Sequence, residues 1–289
     1  MSADWRPDFI GIGGIRCATT WGWTVLDAHP DCSMAQPKEI HFFDRNWGRG
    51  LEWYRSHFAS GPARVRGEIC PSYLYEAVVP ERVHMTAPDV TLVLFLRNPF
   101  ERALSHLLMD HQTVHGRSSD VDLETLRLLA AADRKYIGCS CYASALAPWL
   151  DHFPPSRFVV VRQDEVGADA GAAVRRLYTG LGLDASFVPE MIEDRINSVR
   201  DYRSPGLFRA LSSLSQRLKA RPGGRRLMEG VYRCSRMREL VLDFLQVDRG
   251  RARVDFDQVF DASDRAHLIA ETERLPQMLG IEVPDGWVT

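Results

Sequence analysis

Two groups of residues in this chain have the types and spacing to hold anions. The first is Ile15-Arg16-Cys17-Ala18-Thr19-Thr20, which follows an apolar, glycine-ended run and precedes a helix-like stretch. Between a strand and a helix, backbone N–H groups and the helix N-terminus together favour phosphate or sulfate. Thr19 and Thr20 are expected to cap the helix and to offer hydroxyls to the ligand, while Arg16 supplies fixed charge and several donors. Turns of this kind are common in α/β proteins, so the loop alone leaves anion binding open. A Walker A sequence, GxxxxGK[ST], is absent, which disfavours an ordinary nucleoside triphosphatase.

The second group is Arg97-Asn98-Pro99-Phe100-Glu101-Arg102-Ala103-Leu104-Ser105-His106. An arginine at the carboxyl end of a parallel strand projects into the crevice where open α/β sheets bind ligands. Pro99 suits the first turn of a helix, and Ser105 lies two turns along it, so Arg97 and Ser105 could close on one phosphate. The alternative is that Arg97 simply pairs with Glu101. The residues by themselves do not choose.

These groups need elements to hold them. Asp8 to Gly14, Val65 to Ile69, Val90 to Leu96 and Arg157 to Val161 read as strands, and the last two are continuous apolar runs of the kind covered on both faces. Helices are expected over Thr19 to Ala28, Glu101 to His111, Tyr142 to His152 and Asp169 to Leu181. This alternation predicts an α/β fold with a P-loop-type, mostly parallel sheet flanked by helices. From about Asp201 onward the sequence becomes helix-rich and arginine-heavy, interrupted by Pro222-Gly223-Gly224, and it reads as a helical cap or partner-binding arm, or more blandly as an amphipathic helix with a solvated face. No repeat or linker divides the chain. A single domain over 1–289 is therefore expected, with a core at 8–200 and a helical region at 201–289.

Composition narrows the class further. With 36 basic and 38 acidic residues the net charge is −2, so no global field draws the chain to nucleic acid or to an anionic membrane. The six cysteines form no CxxC pair and have no histidine at zinc spacing, and neither a secretory signal nor a run of about 20 apolar residues is evident. Reduced thiols and a cytoplasmic location are expected.

Taken together and in this order, the two anion-holding groups resemble the 3′-phosphoadenosine 5′-phosphosulfate (PAPS)-dependent sulfotransferase family. Its phosphosulfate loop reads KxGTTxL or RKGGT and its 3′-phosphate element RxPxxRxxSxY. Arg16 falls on the family lysine, Thr19 on the loop threonine, and His29-Pro30-Asp31 on a frequent HPD. Lys38-Glu39-Ile40-His41-Phe42-Phe43-Asp44, followed by Gly50-Leu51-Glu52-Trp53-Tyr54, resembles the KExHFFD…KGLxWY stretch of the heparan sulfate sulfotransferase-like group and its bacterial relatives. Glu68, Pro71, Ser72 and Tyr73 resemble their E(K/x)TPxY strand.

The resemblance implies sulfuryl transfer from PAPS to a hydroxyl or amine of a small-molecule or saccharide acceptor, as in natural product or carbohydrate modification, leaving adenosine 3′,5′-bisphosphate. It implies Glu39 as general base, with Lys38 or His41 to orient or tune it, and Arg16 at the leaving phosphate. Arg16, Cys17, Ala18, Thr19, Thr20 and Trp21 would cradle the phosphosulfate, while Arg97 and Ser105 hold the 3′-phosphate. No metal is called for, and the sequence offers no carboxylate/histidine metal cluster. Three departures stand out: Arg16 for lysine, Ala18 for a loop glycine, and Ile69 where heparan sulfate enzymes often carry a lysine on the substrate side. The first keeps open a catalytically impaired nucleotide-binding or scaffold protein of sulfotransferase descent. The third points away from a strongly anionic polysaccharide.

Overall fold

The structure is a computed structural model that describes residues 5–59, 63–115, 122–189, 201–202, 246–247 and 254–289. Its centre is a five-stranded sheet of β1 (Phe9–Gly13), β2 (Cys32–Met34), β3 (Val65–Ile69), β4 (Thr91–Leu96) and β5 (Phe158–Arg162), in the order β2-β3-β1-β4-β5. Every pairing in it is parallel. Phe9, Ile10 and Ile12 of β1 and Leu92 to Leu96 of β4 are buried throughout, because helices cover both faces.

The flanking helices are α1 (Thr19–Asp27), α2 (Gly50–Arg55), α3 (Val79–Thr86), α4 (Pro99–His115), α5 (Leu123–Ala132), α6 (Lys135–Gly138), α7 (Tyr142–Leu150), α8 (Gln163–Ala168) and α9 (Ala170–Gly180). Helix α1 lies so close to the sheet that a Cβ on Gly22 would stand 2.3 Å from the Phe95 ring. That approach fixes the direction in which α1 leaves the loop at 14–18.

At the end of the chain, α10 (Ala262–Glu273) and α11 (Leu275–Leu279) return to the body of the protein. Leu275, Leu279 and Trp287 join the main core, and Asn98 donates to the Gly286 carbonyl at 2.7 Å. Phe256, Phe260 and Leu268 pack with Phe100, Ala103 and Leu107 of α4 and Leu126 of α5 in a second apolar cluster. Most of the helix-rich stretch expected after Asp201, including Pro222-Gly223-Gly224, lies outside the described residues. The four described positions between 201 and 247 depart from that expectation, since β6 (Asp201–Tyr202) and β7 (Gln246–Val247) pair antiparallel. Among the described residues no helix is long and apolar enough to cross a membrane.

The expected α/β class and parallel sheet are what the molecule has, and β3 takes the predicted bounds. Strand β2 and helices α2, α3 and α5 carry no comparable signal. Strand β2 is only three residues long at a sheet edge, and α3 has Pro80 in its first turn.

Candidate active site

Because all five strands run the same way, the segments after β1, β2, β3 and β4 emerge at one end of the sheet. These are the loop 14–18, Lys38–Asp44, Cys70–Tyr73 and Arg97–Ser105. With β1 between β3 and β4, the loop after β1 has Cys70 and Ser72 on one side and Arg97 on the other. Parallel α/β sheets bind ligands at this edge.

The loop reverses through two residues with positive φ, Arg16 at 69° and Ala18 at 63°. Ala18 is the N-cap of α1, and no side chain caps the helix there. The expected capping by Thr19 and Thr20 is thus corrected. The left-handed turn at Ala18 places Thr19 already inside the first helical turn, where it is buried. Cys17 can serve the anion only through its backbone. Its side chain is fully buried with the Tyr142 hydroxyl 3.4 Å from Sγ, and burial pushes its thiol pKa up. Trp21 is buried in the core as well. Thr20 remains partly exposed.

Arg16 turns toward α4. Its Nε donates to Ser105 Oγ at 3.1 Å and its Nη1 reaches Met109 Sδ at 3.5 Å. The residues assigned to two different phosphates are therefore in direct contact. Arg97 takes the alternative left open by the sequence, since Nε and Nη2 donate to Glu101 Oε2 at 3.2 and 3.0 Å. The Glu101 side chain is 62% exposed, so the pair is worth at most about 1 kcal/mol. One turn along α4, Arg102 is completely buried; it donates to Ser140 Oγ at 2.6 Å, to the Tyr136 carbonyl, and to His106 Nδ1 at 3.2 Å. It pairs with no carboxylate among the described residues. His106 beside it has its pKa pushed down to about 4, first by burial and then by Arg102.

The Lys38–Asp44 segment is anchored by its aromatics. Phe42 stacks on Tyr54 with ring centroids 4.5 Å apart, and Phe43 meets Tyr73 edge-on at 5.6 Å. Behind them the Phe43 N–H donates to Tyr73 Oη at 3.3 Å, and that hydroxyl donates to Glu68 Oε1 at 3.1 Å. Glu68 is buried, and burial raises its pKa to about 8 against the opposing pull of its tyrosine hydrogen bonds. With Ile40, Phe42 and Phe43 in the core, Lys38, Glu39 and His41 are left partly exposed at the sheet end.

Glu39 and His41 both hold positive φ, 62° and 55°. Side chains in this region cost energy and gather at functional sites. Glu39 pairs with Lys38 through Oε1, and its Oε2 stands 3.9 Å from His41 Nε2. On the other side of the ring, His41 Nδ1 lies 2.9 Å from Asp44 Oδ2, and Ser72 Oγ donates to that same carboxylate oxygen at 2.9 Å. Hydrogen bonds from His41 and Ser72 lower the Asp44 pKa although burial opposes them. Cys70 Sγ is 3.3 Å from His41 Nδ1. The expectation of no carboxylate/histidine cluster is corrected here, since His41, Asp44 and Cys70 place potential ligand atoms within 4.8 Å of one another. Asp44 sat unassigned inside the KEIHFFD motif, and no periodicity links Cys70 to it.

Comparison with known proteins adds to this geometry. Residues 6–214 match the model of the family described as "Sulfotransferase domain". Heparan sulfate glucosamine 3-O-sulfotransferase 6 of Homo sapiens is 35% identical over 183 residues, 61% of this chain and 52% of that protein. Heparan sulfate glucosamine 3-O-sulfotransferase 3B1 of Mus musculus is 32% identical over 187 residues, 61% of this chain and 46% of its own. The chain spans about half the length of these curated relatives. Among solved structures, a sulfotransferase from Alicyclobacillus acidocaldarius superposes with a TM-score of 0.56 at 24% identity, over 75% of this chain and 95% of that one, which is likeness of fold.

Proposed function

The chain belongs to the sulfotransferase domain family, and from this we propose that it transfers a sulfuryl group from PAPS to a hydroxyl or amine of a small-molecule or saccharide acceptor in the cytosol. The observation that carries the reading is the 3.1 Å contact of Arg16 with Ser105, which joins the loop after β1 to α4 at the ligand end of the sheet. Arg16 and the N-terminus of α1 supply positive potential for the phosphosulfate; Ser105, with Arg97 released from its exposed partner Glu101, supplies donors for the 3′-phosphate. A phosphate dianion competes easily for Arg97, because the pair it displaces is weak.

Glu39 is assigned as the base. As the acceptor oxygen bonds to sulfur, its proton passes to the Glu39 carboxylate and the bond from sulfur to the phosphate oxygen breaks. Arg16 offsets the charge left on that oxygen. Such transfers are accelerated mainly by positioning and electrostatics. The positive φ at Glu39 and His41 and the aromatic anchors beside them support a held geometry.

Ile69 bears on the acceptor. Its side chain is buried against Gly11, where an added Cβ would come within 2.5 Å of it. The position therefore presents no cation to an acceptor, and the absence of a lysine there favours an acceptor of low negative charge over a heavily sulfated polysaccharide. Arg16 in place of the family lysine, a planar fork where a compact point charge is usual, favours as a second reading a protein that binds the nucleotide without turnover.

Calorimetry with adenosine 3′,5′-bisphosphate and AMP, alongside a turnover assay with PAPS, tests both readings. The bisphosphate is expected to bind much more tightly, and Arg97→Ala to remove that preference at a cost of roughly 1.5–3 kcal/mol. Equal affinity for the two nucleotides would remove Arg97 and Ser105 from the 3′-phosphate role. Tight binding without turnover on a panel of alcohols and amines would leave the second reading.

A further inference from the structure

On the side of His41 that faces away from Glu39, polar atoms from two chain segments converge on one point. His41 Nδ1 has Asp44 Oδ2 at 2.9 Å, Cys70 Sγ at 3.3 Å and Ser72 Oγ at 3.4 Å. Ser72 Oγ in turn lies 2.9 Å from Asp44 Oδ2 and 3.3 Å from Cys70 Sγ. An imidazole nitrogen makes one hydrogen bond, as donor or as acceptor. Three groups crowd this one, more than hydrogen bonding at that nitrogen can use. The place is also secluded, with Cys70 buried and the Asp44 side chain only 4% exposed.

We propose that this pocket is a binding site for a soft, tetrahedral divalent cation such as Zn²⁺, ligated by His41 Nδ1, Asp44 Oδ2 and Cys70 Sγ, with the Ser72 hydroxyl or a water completing the shell. The donor set is the argument. Mixed nitrogen, carboxylate and thiolate ligands select zinc-like ions, whereas Mg²⁺ and Ca²⁺ take shells of oxygen. Bonds of about 2.0–2.3 Å to a tetrahedral ion set its ligand atoms roughly 3.3–3.8 Å apart. The spacings of Asp44 and Cys70 to His41 Nδ1, 2.9 and 3.3 Å, therefore need to open by only a few tenths of an ångström, and all three ligand atoms already lie within 4.8 Å of one another. On uptake the Cys70 thiol releases its proton to solvent as the sulfur–metal bond forms, and His41 keeps its remaining proton on Nε2, toward Glu39.

One consequence rests on the proposed role of Glu39. A cation on Nδ1 holds the His41 ring fixed and adds positive charge beside Glu39, whose Oε2 stands 3.9 Å from Nε2, so the carboxylate is drawn toward the ring and away from the acceptor. Zn²⁺ is expected to slow turnover. The binding site itself does not depend on that reading.

The test uses the full-length, metal-free protein. Calorimetry with Zn²⁺ is expected to give one ion bound at this site, and Mg²⁺ to give no heat. Co²⁺ is expected to develop thiolate-to-metal charge-transfer absorption. Cys70→Ser should abolish that absorption and weaken Zn²⁺ binding by at least ~10-fold. Cys141→Ser should leave both unchanged, a needed control because Cys141 Sγ also has a histidine nitrogen, His267 Nε2, at 3.3 Å. Asp44→Asn provides a second variant should Cys70→Ser unfold, and it should weaken binding similarly. Absence of the thiolate absorption, or Zn²⁺ affinity unchanged in either variant, would overturn the site. Zn²⁺ bound at Cys70 with turnover unaffected would overturn only the link to Glu39.

Discussion

Arg16 and Ser105 are 89 positions apart in the chain, and the Nε of one donates to the Oγ of the other at 3.1 Å. The loop after β1 and the second turn of α4 are thereby tied together before any ligand arrives. Arg16→Ala is expected to lower turnover far more than bisphosphate affinity, because its charge matters most as the leaving oxygen develops. Arg16→Lys keeps the charge but loses the planar fork that spans Ser105 and Met109, so it should fall between wild type and alanine. Combined with Ser105→Ala in a double-mutant cycle on bisphosphate affinity, Arg16→Ala should show a coupling of about 0.5–3 kcal/mol. Strict additivity would mean that the contact plays no part in nucleotide binding.

Glu39→Gln should leave bisphosphate binding nearly unchanged while turnover of an aliphatic alcohol falls by ~10²-fold or more. The glutamine keeps the size and the hydrogen bonding but cannot take the proton. Should single-turnover kinetics find chemistry unimpaired, His41 becomes the residue to test next, since its Nε2 is the titratable neighbour 3.9 Å away.

Glu68 predicts a pH dependence of stability. Burial raises its pKa from 4.5 to about 8 in the folded chain, so the native state binds its proton more tightly than the unfolded one. The stability this contributes is complete below pH 4.5 and is lost progressively as pH rises to about 8. Glu68→Gln keeps an acceptor for the Tyr73 hydroxyl and removes the titration. Urea denaturation at pH 5 and pH 8 should find the variant's stability falling less over that interval, with a gain at pH 8 of roughly 2–4 kcal/mol. Parallel pH profiles for the two proteins would contradict the assignment.

Ala18 holds φ 63° at the cap of α1, a conformation that costs a residue with a Cβ about 1 kcal/mol. Ala18→Gly should therefore raise the melting temperature or the urea midpoint modestly. A loss of stability would show that the added freedom of the unfolded glycine outweighs the relieved strain.

How much of this was legible in the sequence follows from the range of the forces involved. Buried strands in a parallel sheet must be apolar throughout, so β1 and β4 announced themselves as runs, with Arg16 in the loop after the first and Arg97 at the end of the second. Strand β5 is an apolar run too, but it sits at the sheet edge with only Val161 buried, not covered on both faces as its sequence suggests. The family resemblance pointed to Glu39, His41 and Ser105. The partners of these residues were a different matter. Arg97 could close with Ser105 on one phosphate or pair with Glu101, and only the side-chain geometry shows it paired with Glu101. The sense of the turn at Ala18 withdrew Thr19 from capping and Cys17 from the surface, because α1 must pass within contact of Phe95. Cys70 and Ser72 reach His41 only because β3 lies between β2 and β1, which brings segments some 30 positions apart to one end of the sheet. Local pattern determined which residues face the ligand edge; strand order and helix approach, being long-range packing, decided which of them touch.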